Sequence, residues 1–401
     1  MSSRVVLAYS GGLDTSVIIH WLKAERDMRV VAFSADLGQG EELEPLREKA
    51  VKTGAEGIHI RDLREEFVHD FIFPALRANA TYQSGYPLHT ALGRPLIAKE
   101  LVRVAREEKC DSVAHGCTGK GNDQVRFETG VAALAPDLKV LAPLREWDMK
   151  TREDEIDYAV KHEIPIPITR SKPYSLDRNL WGCAIECGEL EDPWNAPPED
   201  AYQMTANPLE APDKPDEVVV GFEAGLPVSL DGKPMGGVEL IEKLNEVAGV
   251  HGVGRLDMVE DRVVGIKSRE IYENPAAAVL LAARQGLQEL AVSKPVRQVQ
   301  DILSAQYADL IYTGRWFTDL RGTLDAFFAE AQKYVTGEAR VRLFKGAVAV
   351  LGRKAPWSLY DEKLATYGAG DTFRHTSAEG FLDIYSLPVR AEGARRVKAG
   401  S

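Results

Sequence analysis

The stretch VVLAYSGGLDTS at residues 5–16 joins a short apolar run to a helical pattern through two glycines. Residues 5–8 predict a buried strand, and residues 15–26 predict a helix with one apolar face. Further strands are predicted at 30–33, 57–60, 111–115 and 139–142, and further helices at 41–53 and from Pro95 onward. Strands that alternate with helices predict a parallel, doubly wound sheet, which is an α/β fold.

The pattern changes in the second half of the chain. Residues 189–217 are rich in proline and acidic side chains and predict a long connection without regular structure. Beyond it we predict strands at 218–222 and 228–230, a helix at 238–247, a hairpin of 255–260 with 263–267, helices near 275–291, 295–313 and 319–335, and a hairpin of 339–343 with 347–351. These elements indicate an α+β second domain, and the segment after residue 361 shows few regular signals.

The charge balance limits the partners of the chain. Its formal net charge is −12 over 401 residues, and no basic block offsets the acidic excess, which disfavours nucleic acid as a partner. No apolar stretch reaches the roughly 20 residues of a membrane span, so we expect no membrane partner and a cytoplasmic location. The four cysteines include no C-x-x-C pair, which favours free thiols over a metal site.

The loop from Ser10 to Ser16 follows the first strand, where parallel sheets bind their ligands. Gly11 and Gly12 let the backbone approach a ligand, and the helix that follows offers free N–H groups, so the loop suits a phosphate chain. A glycine pair alone is also typical of a plain strand-to-helix turn. GxxxxGK[ST] and GxGxxG are both absent, which disfavours a Walker-type kinase or GTPase and a dinucleotide site.

A second glycine-rich loop, AHGCTGKGNDQVRFE at 114–128, follows the fourth strand. In a sheet of order 3-2-1-4-5 this loop faces the first one across a crevice. Asp123 suits an ammonium group, whereas Thr118, Lys120 and Arg126 suit carboxylates. The alternative, a surface loop with scattered charge, is weaker because of that placement.

Both loops resemble those of known enzymes. SGGLDTS is similar to the SGGxDS loop of the N-type ATP pyrophosphatases, and residues 114–128 resemble the HGxTGKGNDQVRFE signature of the argininosuccinate synthase family. Further matches to that family are FSADLGQGEE (33–42), RPLIAK (94–99), LEDPW (190–194), HGVGRLDMVEDRVVGIKSREIYE (251–273) and GRKAPWSLY (352–360). The resemblance covers nearly the whole chain.

The resemblance implies an activity and an organisation. It implies ligation of L-citrulline to L-aspartate with ATP through a citrullyl-AMP intermediate, with release of AMP and pyrophosphate and with Mg²⁺ on the phosphates. It also implies a nucleotide-binding domain at 1–167, a synthetase domain at 168–360, a C-terminal tail at 361–401 that assists oligomerisation, and a homotetramer. No dedicated metal cage is visible in the sequence.

The resemblance also implies site residues. ATP is expected at Ala8, Tyr9, Ser10, Gly11, Gly12, Leu13, Asp14, Thr15, Ser16, Ala35 and Gly116. Aspartate is expected at Thr118, Asn122 and Asp123, and citrulline at Tyr86, Thr90, Asn122, Arg126, Ser175, Glu260 and Tyr272. The candidate catalytic residues are Asp14, Asp123, Arg94 and Lys120, and the cations expected to offset the anionic substrates are Arg94, Lys120, Arg126, Lys172 and Arg178.

Two positions depart from the family pattern. The family's YLLGTSLARP reads YPLHTALGRP here, and its NLMHISYE reads NLWGCAIE, so Ala91 and Ala184 each lack a serine hydroxyl. We hypothesise that Thr90 supplies one missing hydroxyl. Two alternatives remain, namely another AMP-forming ligase of the same superfamily and a nucleotide-binding sensor without catalysis.

Overall fold

The computed structural model describes residues 3–40, 43–83, 85–165 and 174–400. The chain divides into two compact units, Met1–Trp357 and Ser358–Ser401. Among the described residues, no helix is long and apolar enough to cross a bilayer. The predicted boundary between residues 167 and 168 lies outside the described residues, and the division into three domains stays a prediction.

A parallel five-stranded sheet opens the first unit. Its strands are β1 (Arg4–Ala8), β2 (Arg29–Asp36), β3 (Gly57–Asp62), β4 (Ser112–Ala114) and β5 (Lys139–Leu141). They lie in the order β3-β2-β1-β4-β5, and each neighbouring pair is parallel. The predicted α/β class with a doubly wound parallel sheet is therefore confirmed, and β1 and β4 end side by side as expected.

Helices cover both faces of this sheet. They are α1 (Leu13–Arg26), α2 (Pro45–Thr53), α3 (Arg64–Glu66), α4 (Phe73–Arg77), α5 (His89–Glu107), α6 (Asp123–Leu134) and α7 (Arg152–Lys161), with a π-helical segment at Phe67–Ile72. Val5 and Leu7 of β1 share one buried cluster with residues of α1, whereas Val6 shares the other with residues of α5 and α6. Because a slip of one residue would exchange these two faces, burial fixes the register of β1 and the place where its loop begins.

The start of α5 corrects a prediction. We expected Pro95 to begin this helix, but α5 begins at His89 and carries Pro95 inside it. Leu88 precedes the helix with a left-handed φ of 67°, and most residues of its first two turns are buried. An internal proline costs roughly 3 kcal/mol, and burial of this apolar helix outweighs that cost.

Two antiparallel sheets follow in the same unit. The strands of the five-stranded sheet are β8 (Asp216–Glu223), β9 (Leu226–Leu230), β10 (Lys233–Pro234), β13 (Gly337–Phe344) and β14 (Ala347–Lys354). The strands of the four-stranded sheet are β6 (Ser175–Asn179), β7 (Gly182–Glu186), β11 (Arg255–Asp261) and β12 (Lys267–Glu273). Their orders are β10-β9-β8-β13-β14 and β11-β12-β7-β6. The helices among them are α8 (Gly237–Val250), α9 (Pro275–Ala291), α10 (Lys294–Tyr312) and α11 (Asp319–Ala331).

The β11–β12 hairpin corrects a second prediction. We placed its second strand at 263–267, but residues 262–266 form the turn and the strand is β12. The Arg262 N–H donates to the Ile266 carbonyl at 2.8 Å, and Gly265 adopts the positive φ that closes the turn. Two exposed valines in the turn gave the sequence a false strand signal. The correction matters because it places Tyr272 opposite Leu256, with Glu260 opposite Ser268.

The second unit, Ser358–Ser401, is helical. It contains α12 (Glu362–Ala365), α13 (Ser377–Tyr385) and α14 (Leu387–Ala399), where we had expected few regular elements. Gly380 and Gly393 lower the helix propensity and hid the pattern, whereas Pro388 lies at the start of α14, where proline is tolerated.

Candidate active site

The loop after β1 has a conformation that requires glycine. Gly11 adopts a φ of +77°, and a Cβ at this position would lie 2.3 Å from the Leu46 Cδ2 atom. The Lys49 ammonium, on α2, donates a hydrogen bond to the Gly11 carbonyl. Contacts with α2 therefore hold the loop in place. They also leave little room for a side chain at Gly11.

Hydroxyl groups brace the turn into α1. The Ser16 hydroxyl donates a hydrogen bond to the Gly12 carbonyl at 2.7 Å. The Tyr9 hydroxyl lies 3.4 Å from the Ser16 hydroxyl. Ser16 and Tyr9 are buried, so they support the loop from inside. The Ser10 and Thr15 hydroxyls lie 3.2 Å apart, and the Gly12 N–H donates to Ser10.

A cavity of about 260 Å³ opens at the loop. It is lined by Ser10, Gly12, Leu13, Asp14, Thr15, Gly116 and Arg152. Pockets that enclose drug-sized molecules measure roughly 300–1,000 Å³, so this cavity matches part of a nucleotide, such as its phosphate chain. Six of the residues expected at ATP are therefore brought together, and Arg152 is an addition from α7.

Gly116 joins the second loop to the first. A Cβ on Gly116 would lie 3.2 Å from both Ile18 and Thr15 of α1, so glycine permits the close approach. Among the other residues expected at ATP, Ala8 and Ala35 lie at the ends of β1 and β2 and are half-buried, and both pack against the hydrophobic core. The Ala35 carbonyl accepts a hydrogen bond from Gln39 at 3.0 Å.

His115 supports the second loop. Its Nδ1 accepts a hydrogen bond from the Cys117 N–H at 3.2 Å, which leaves the proton on Nε2 to face the Glu128 carboxylate at 3.3 Å. Burial lowers the pKa of His115, although Glu128 opposes that change. The neutral ring therefore positions the loop and does not face the cavity.

Asp123 lies between two guanidinium groups. It accepts hydrogen bonds from Arg94 Nε at 2.8 Å and from Arg126 Nη1 at 2.8 Å. Burial opposes its ionisation, but the two guanidinium groups outweigh burial and hold the pKa of Asp123 below its ordinary value. Arg94 also binds Asp177 on β6, a contact that the sequence did not suggest.

A chain of hydrogen bonds runs from the second loop to the β11–β12 hairpin. The Asn122 amide donates to the Tyr312 hydroxyl at 2.8 Å, and Tyr312 donates to Glu260 at 2.6 Å. Glu260 also accepts from Tyr272 at 2.7 Å, and the Tyr272 ring stacks on Tyr86 with centroids 3.9 Å apart. Four of the residues expected at citrulline or aspartate thus form one network, which Tyr312 connects.

Tyr312 is the residue that sequence reasoning missed in this network. It is the last residue of α10, and its main-chain carbonyl accepts a hydrogen bond from Arg126 Nε at 3.1 Å. The Arg126 guanidinium also lies 5.0 Å from the Tyr312 ring centroid. A tyrosine at a helix end, far along the chain, gives no local signal of such a role.

The departures from the family pattern lie beside this network. The Thr90 N–H donates to the Tyr86 hydroxyl at 3.1 Å, and the buried Thr90 Oγ1 has no hydrogen-bond partner among the described residues. Ala184 lies opposite both Tyr272 and Asp177 in the sheet, on the face that carries Ser175 two residues from Asp177. Thr90 therefore remains available for the role that we hypothesised.

The predicted cations divide into two groups. Arg94 and Arg126 lie in ion pairs with Asp123, whereas Lys120 and Arg178 are exposed, as is Thr118. Lys172 lies outside the described residues. Over the described ranges, no three His, Cys, Asp or Glu side chains come together as a set of metal ligands.

Two family models match the chain. The model described as Arginosuccinate synthase N-terminal HUP domain matches residues 4–165, and that described as Arginosuccinate synthase C-terminal domain matches residues 174–392. The chain is 57% identical over 387 residues to the argininosuccinate synthase of Chlorobium phaeobacteroides (strain BS1), and the aligned region covers 96% of each chain. It is 52% identical over 398 residues to the argininosuccinate synthase of Pelotomaculum thermopropionicum, and the aligned region covers 99% of each chain.

Proposed function

The chain belongs to the argininosuccinate synthase family, and from that premise we propose how its residues carry the reaction of this family. The enzyme ligates L-citrulline and L-aspartate to argininosuccinate with ATP as the third substrate, in arginine biosynthesis. The observation that supports the assignment of roles is the cavity at the end of β1, where glycine backbone and hydroxyl groups face one space.

We assign the β- and γ-phosphates of ATP to this cavity. The N-terminus of α1 directs its free N–H groups toward the cavity, and Ser10 and Thr15 add hydroxyl donors. Mg²⁺ prefers one or two carboxylates together with phosphate oxygens, and Asp14 lines the cavity with Glu155 beside it. The Asp14 carboxylate would hold Mg²⁺, which would supply charge neutralisation on the phosphates when bound.

The first step joins citrulline to AMP. The ureido oxygen attacks the α-phosphorus, and the bond between the α-phosphorus and the bridging oxygen breaks, with its electron pair leaving on pyrophosphate. The aspartate amine then attacks the ureido carbon, AMP leaves with the former ureido oxygen, and the proton that the amine loses passes to solvent. Both steps depend on positioning and on stabilising developing negative charge, which fixed hydrogen-bond donors supply without reorganisation.

The Asp123 cluster is the proposed aspartate site. Asp123 faces the substrate ammonium, while Arg94 and Arg126, which it holds in place, keep positive charge near the substrate carboxylates. Thr118 and Lys120, exposed on the same loop, complete the site.

The Tyr86–Tyr272–Glu260 network is the proposed citrulline site, together with Asn122 and Thr90. Glu260 already accepts hydrogen bonds from two tyrosine hydroxyls, so its carboxylate has a fixed orientation. Ser175 lies at the start of β6 on the sheet face that carries Ala184. A site held this rigidly orients the ureido oxygen toward the α-phosphate.

We also propose a homotetramer and a cytoplasmic location. The family resemblance supports the tetramer, as do the apolar side chains that α13 and α14 expose, including Phe381, Ile384 and Tyr385. The need for ATP supports the cytoplasm.

One assay tests the assignment. Purified enzyme with ATP, citrulline and aspartate should release AMP and pyrophosphate in equal amounts. Formation of ADP, or turnover that does not depend on aspartate, would contradict it.

A further inference from the structure

Arg152 closes the phosphate cavity from a different part of the fold. The other lining residues belong to the loop after β1, the start of α1 and Gly116, whereas Arg152 is the first residue of α7. Among the seven described residues that line the cavity, Arg152 alone has a basic side chain. The cavity therefore has one guanidinium group facing a loop shaped for phosphate.

The start of α7 is fixed in place. The Thr151 hydroxyl accepts from the Asp154 N–H at 3.1 Å, and the Asp154 carboxylate accepts from the Thr151 N–H at 2.8 Å. This reciprocal pair of bonds is a capping box, which determines where the helix begins and hence where Arg152 leaves the backbone.

Side-chain contacts then dock α7 on α1. The Glu155 carboxyl group lies beside that of Asp14 on α1. About two turns further along α1, the Tyr158 hydroxyl lies 3.0 Å from His20 Nδ1. Ala159 is buried in the cluster that these two helices share. Arg152 is therefore held by the fold at one wall of the cavity.

The position of Arg152 is unfavourable for the helix itself. The N-terminus of a helix carries partial positive charge and favours acidic side chains, as Glu153, Asp154 and Glu155 show in this same turn. A cation in the first position breaks that preference. A residue whose charge is unfavourable for its own helix suggests selection for another role.

Arg152 also differs from the other arginines near the site. Arg94 and Arg126 are ion-paired with Asp123, which offsets their charge. Within the described ranges, Arg152 makes no ion pair within 4.0 Å and is exposed to the cavity. No ion pair therefore competes with a ligand for its guanidinium group.

We propose that Arg152 is a catalytic residue that binds the pyrophosphate leaving group of ATP. The proposal rests on the proposed function. As the bond from the α-phosphorus to the bridging oxygen breaks, negative charge collects on pyrophosphate, and the guanidinium group donates hydrogen bonds to its oxygens. No proton is transferred in this step, and ATP supplies both electrons of the breaking bond.

The test uses the full-length enzyme with Arg152→Gln, Arg152→Lys and the control Lys161→Gln. Lys161→Gln removes one positive charge from the other end of the same helix, away from the cavity. The readouts are the inhibition constant of inorganic pyrophosphate, its dissociation constant by calorimetry, and the KM of each substrate.

We expect Arg152→Gln to weaken pyrophosphate binding and raise the KM for ATP by about tenfold or more, as for a lost hydrogen bond between charged groups. Arg152→Lys should give an intermediate value, and Lys161→Gln should match wild type. The KM for citrulline and for aspartate should stay within about twofold in all variants, because the lost interaction belongs to the pyrophosphate site only. A tenfold change at that site corresponds to about 1.4 kcal/mol.

Two outcomes separate the inference from the proposed function. If wild type forms AMP and pyrophosphate but Arg152→Gln binds pyrophosphate as tightly as wild type, the role of Arg152 is wrong and the proposed function stands. If wild type forms ADP, the proposed function itself fails. Calorimetry keeps the test decisive even for an inactive variant, provided that its thermal unfolding matches that of wild type.

Discussion

Alanine substitutions at the two adjacent glycines of the first loop should have different effects. Gly11 has a φ of +77°, whereas Gly12 has a φ of −70°, which alanine adopts freely. In Gly11→Ala the left-handed backbone costs roughly 1–2 kcal/mol. The new Cβ would also lie 2.3 Å from Leu46 Cδ2, and a shift of that flexible side chain off its rotamer costs roughly 0.5–1.5 kcal/mol. Gly11→Ala should thus lower the free energy of unfolding by about 2–3 kcal/mol.

Gly12→Ala should instead impair nucleotide binding. Its Cβ would meet the Ser10 hydroxyl at 3.4 Å, an ordinary contact, so the free energy of unfolding should change by no more than about 1 kcal/mol. The same Cβ would stand at the cavity wall, where it keeps the phosphates from the backbone. The KM for ATP should rise about tenfold or more, as for one lost hydrogen bond to a charged group.

Urea denaturation and initial rates of pyrophosphate release measure these effects. In the double variant Gly11→Ala, Leu46→Ala, the Cβ no longer meets the leucine side chain, and comparison with Leu46→Ala alone isolates the backbone cost. The reasoning is refuted if Gly12→Ala keeps the KM for ATP of wild type, because the phosphates would then not approach this turn. It is refuted equally if Gly11→Ala unfolds at the urea concentration of wild type.

Two further predictions concern the network and the cavity. Tyr312→Phe removes a hydroxyl that donates to Glu260, so the KM for citrulline should rise about tenfold or more while that for ATP stays constant. Glu155 has a pKa of about 8, because of burial and then the Asp14 carboxylate, with Arg152 opposing both. As the pH rises through that value, Glu155 gains negative charge beside the phosphates, so the KM for ATP should rise between pH 7 and pH 9; in Glu155→Gln it should stay constant.

Each of these predictions has a matched control. Tyr307→Phe removes a buried hydroxyl from the same helix, where its partner is Asp325 and not Glu260, and should leave the KM for citrulline unchanged. An equal rise in both tyrosine variants would contradict the role of Tyr312. For Glu155, a rise in the KM for ATP with pH that persists in Glu155→Gln would show that another group titrates.

The first half of the fold was predictable from the sequence because its signals are local. Apolar runs alternate with helical patterns, and burial on both faces of β1 leaves one register. The two glycine-rich loops then predicted the edge of the sheet where a ligand would bind, and the sheet order β3-β2-β1-β4-β5 brings these loops together.

The sequence was less informative where tertiary contacts decide the structure. The start of α5 depends on burial that outweighs the penalty of Pro95. The turn at residues 262–266 carries exposed valines that imitate a strand. The β6–β7 hairpin was not predicted. Its two short strands flank a turn that Asn179 and Trp181 hold through hydrogen bonds to His89 and Pro87, far away in the chain.

The same physical limit applies to the site. Residues on the two loops could be predicted, because each loop carries its polar groups within a few positions. Tyr312, Asp177 and Arg152 reach the site from α10, β6 and α7, and only folding brings them to it. The capping box at Thr151 predicts the start of a helix, but not what its first side chain faces.

In the mechanism that we propose, the ureido oxygen of citrulline attacks the α-phosphate of ATP at the first loop. Citrulline labelled with ¹⁸O at the ureido oxygen tests it directly, with the products separated and analysed by mass spectrometry. We predict one ¹⁸O atom in the phosphate of AMP and none in pyrophosphate. Label in pyrophosphate or in inorganic phosphate, or unlabelled AMP, would contradict the account.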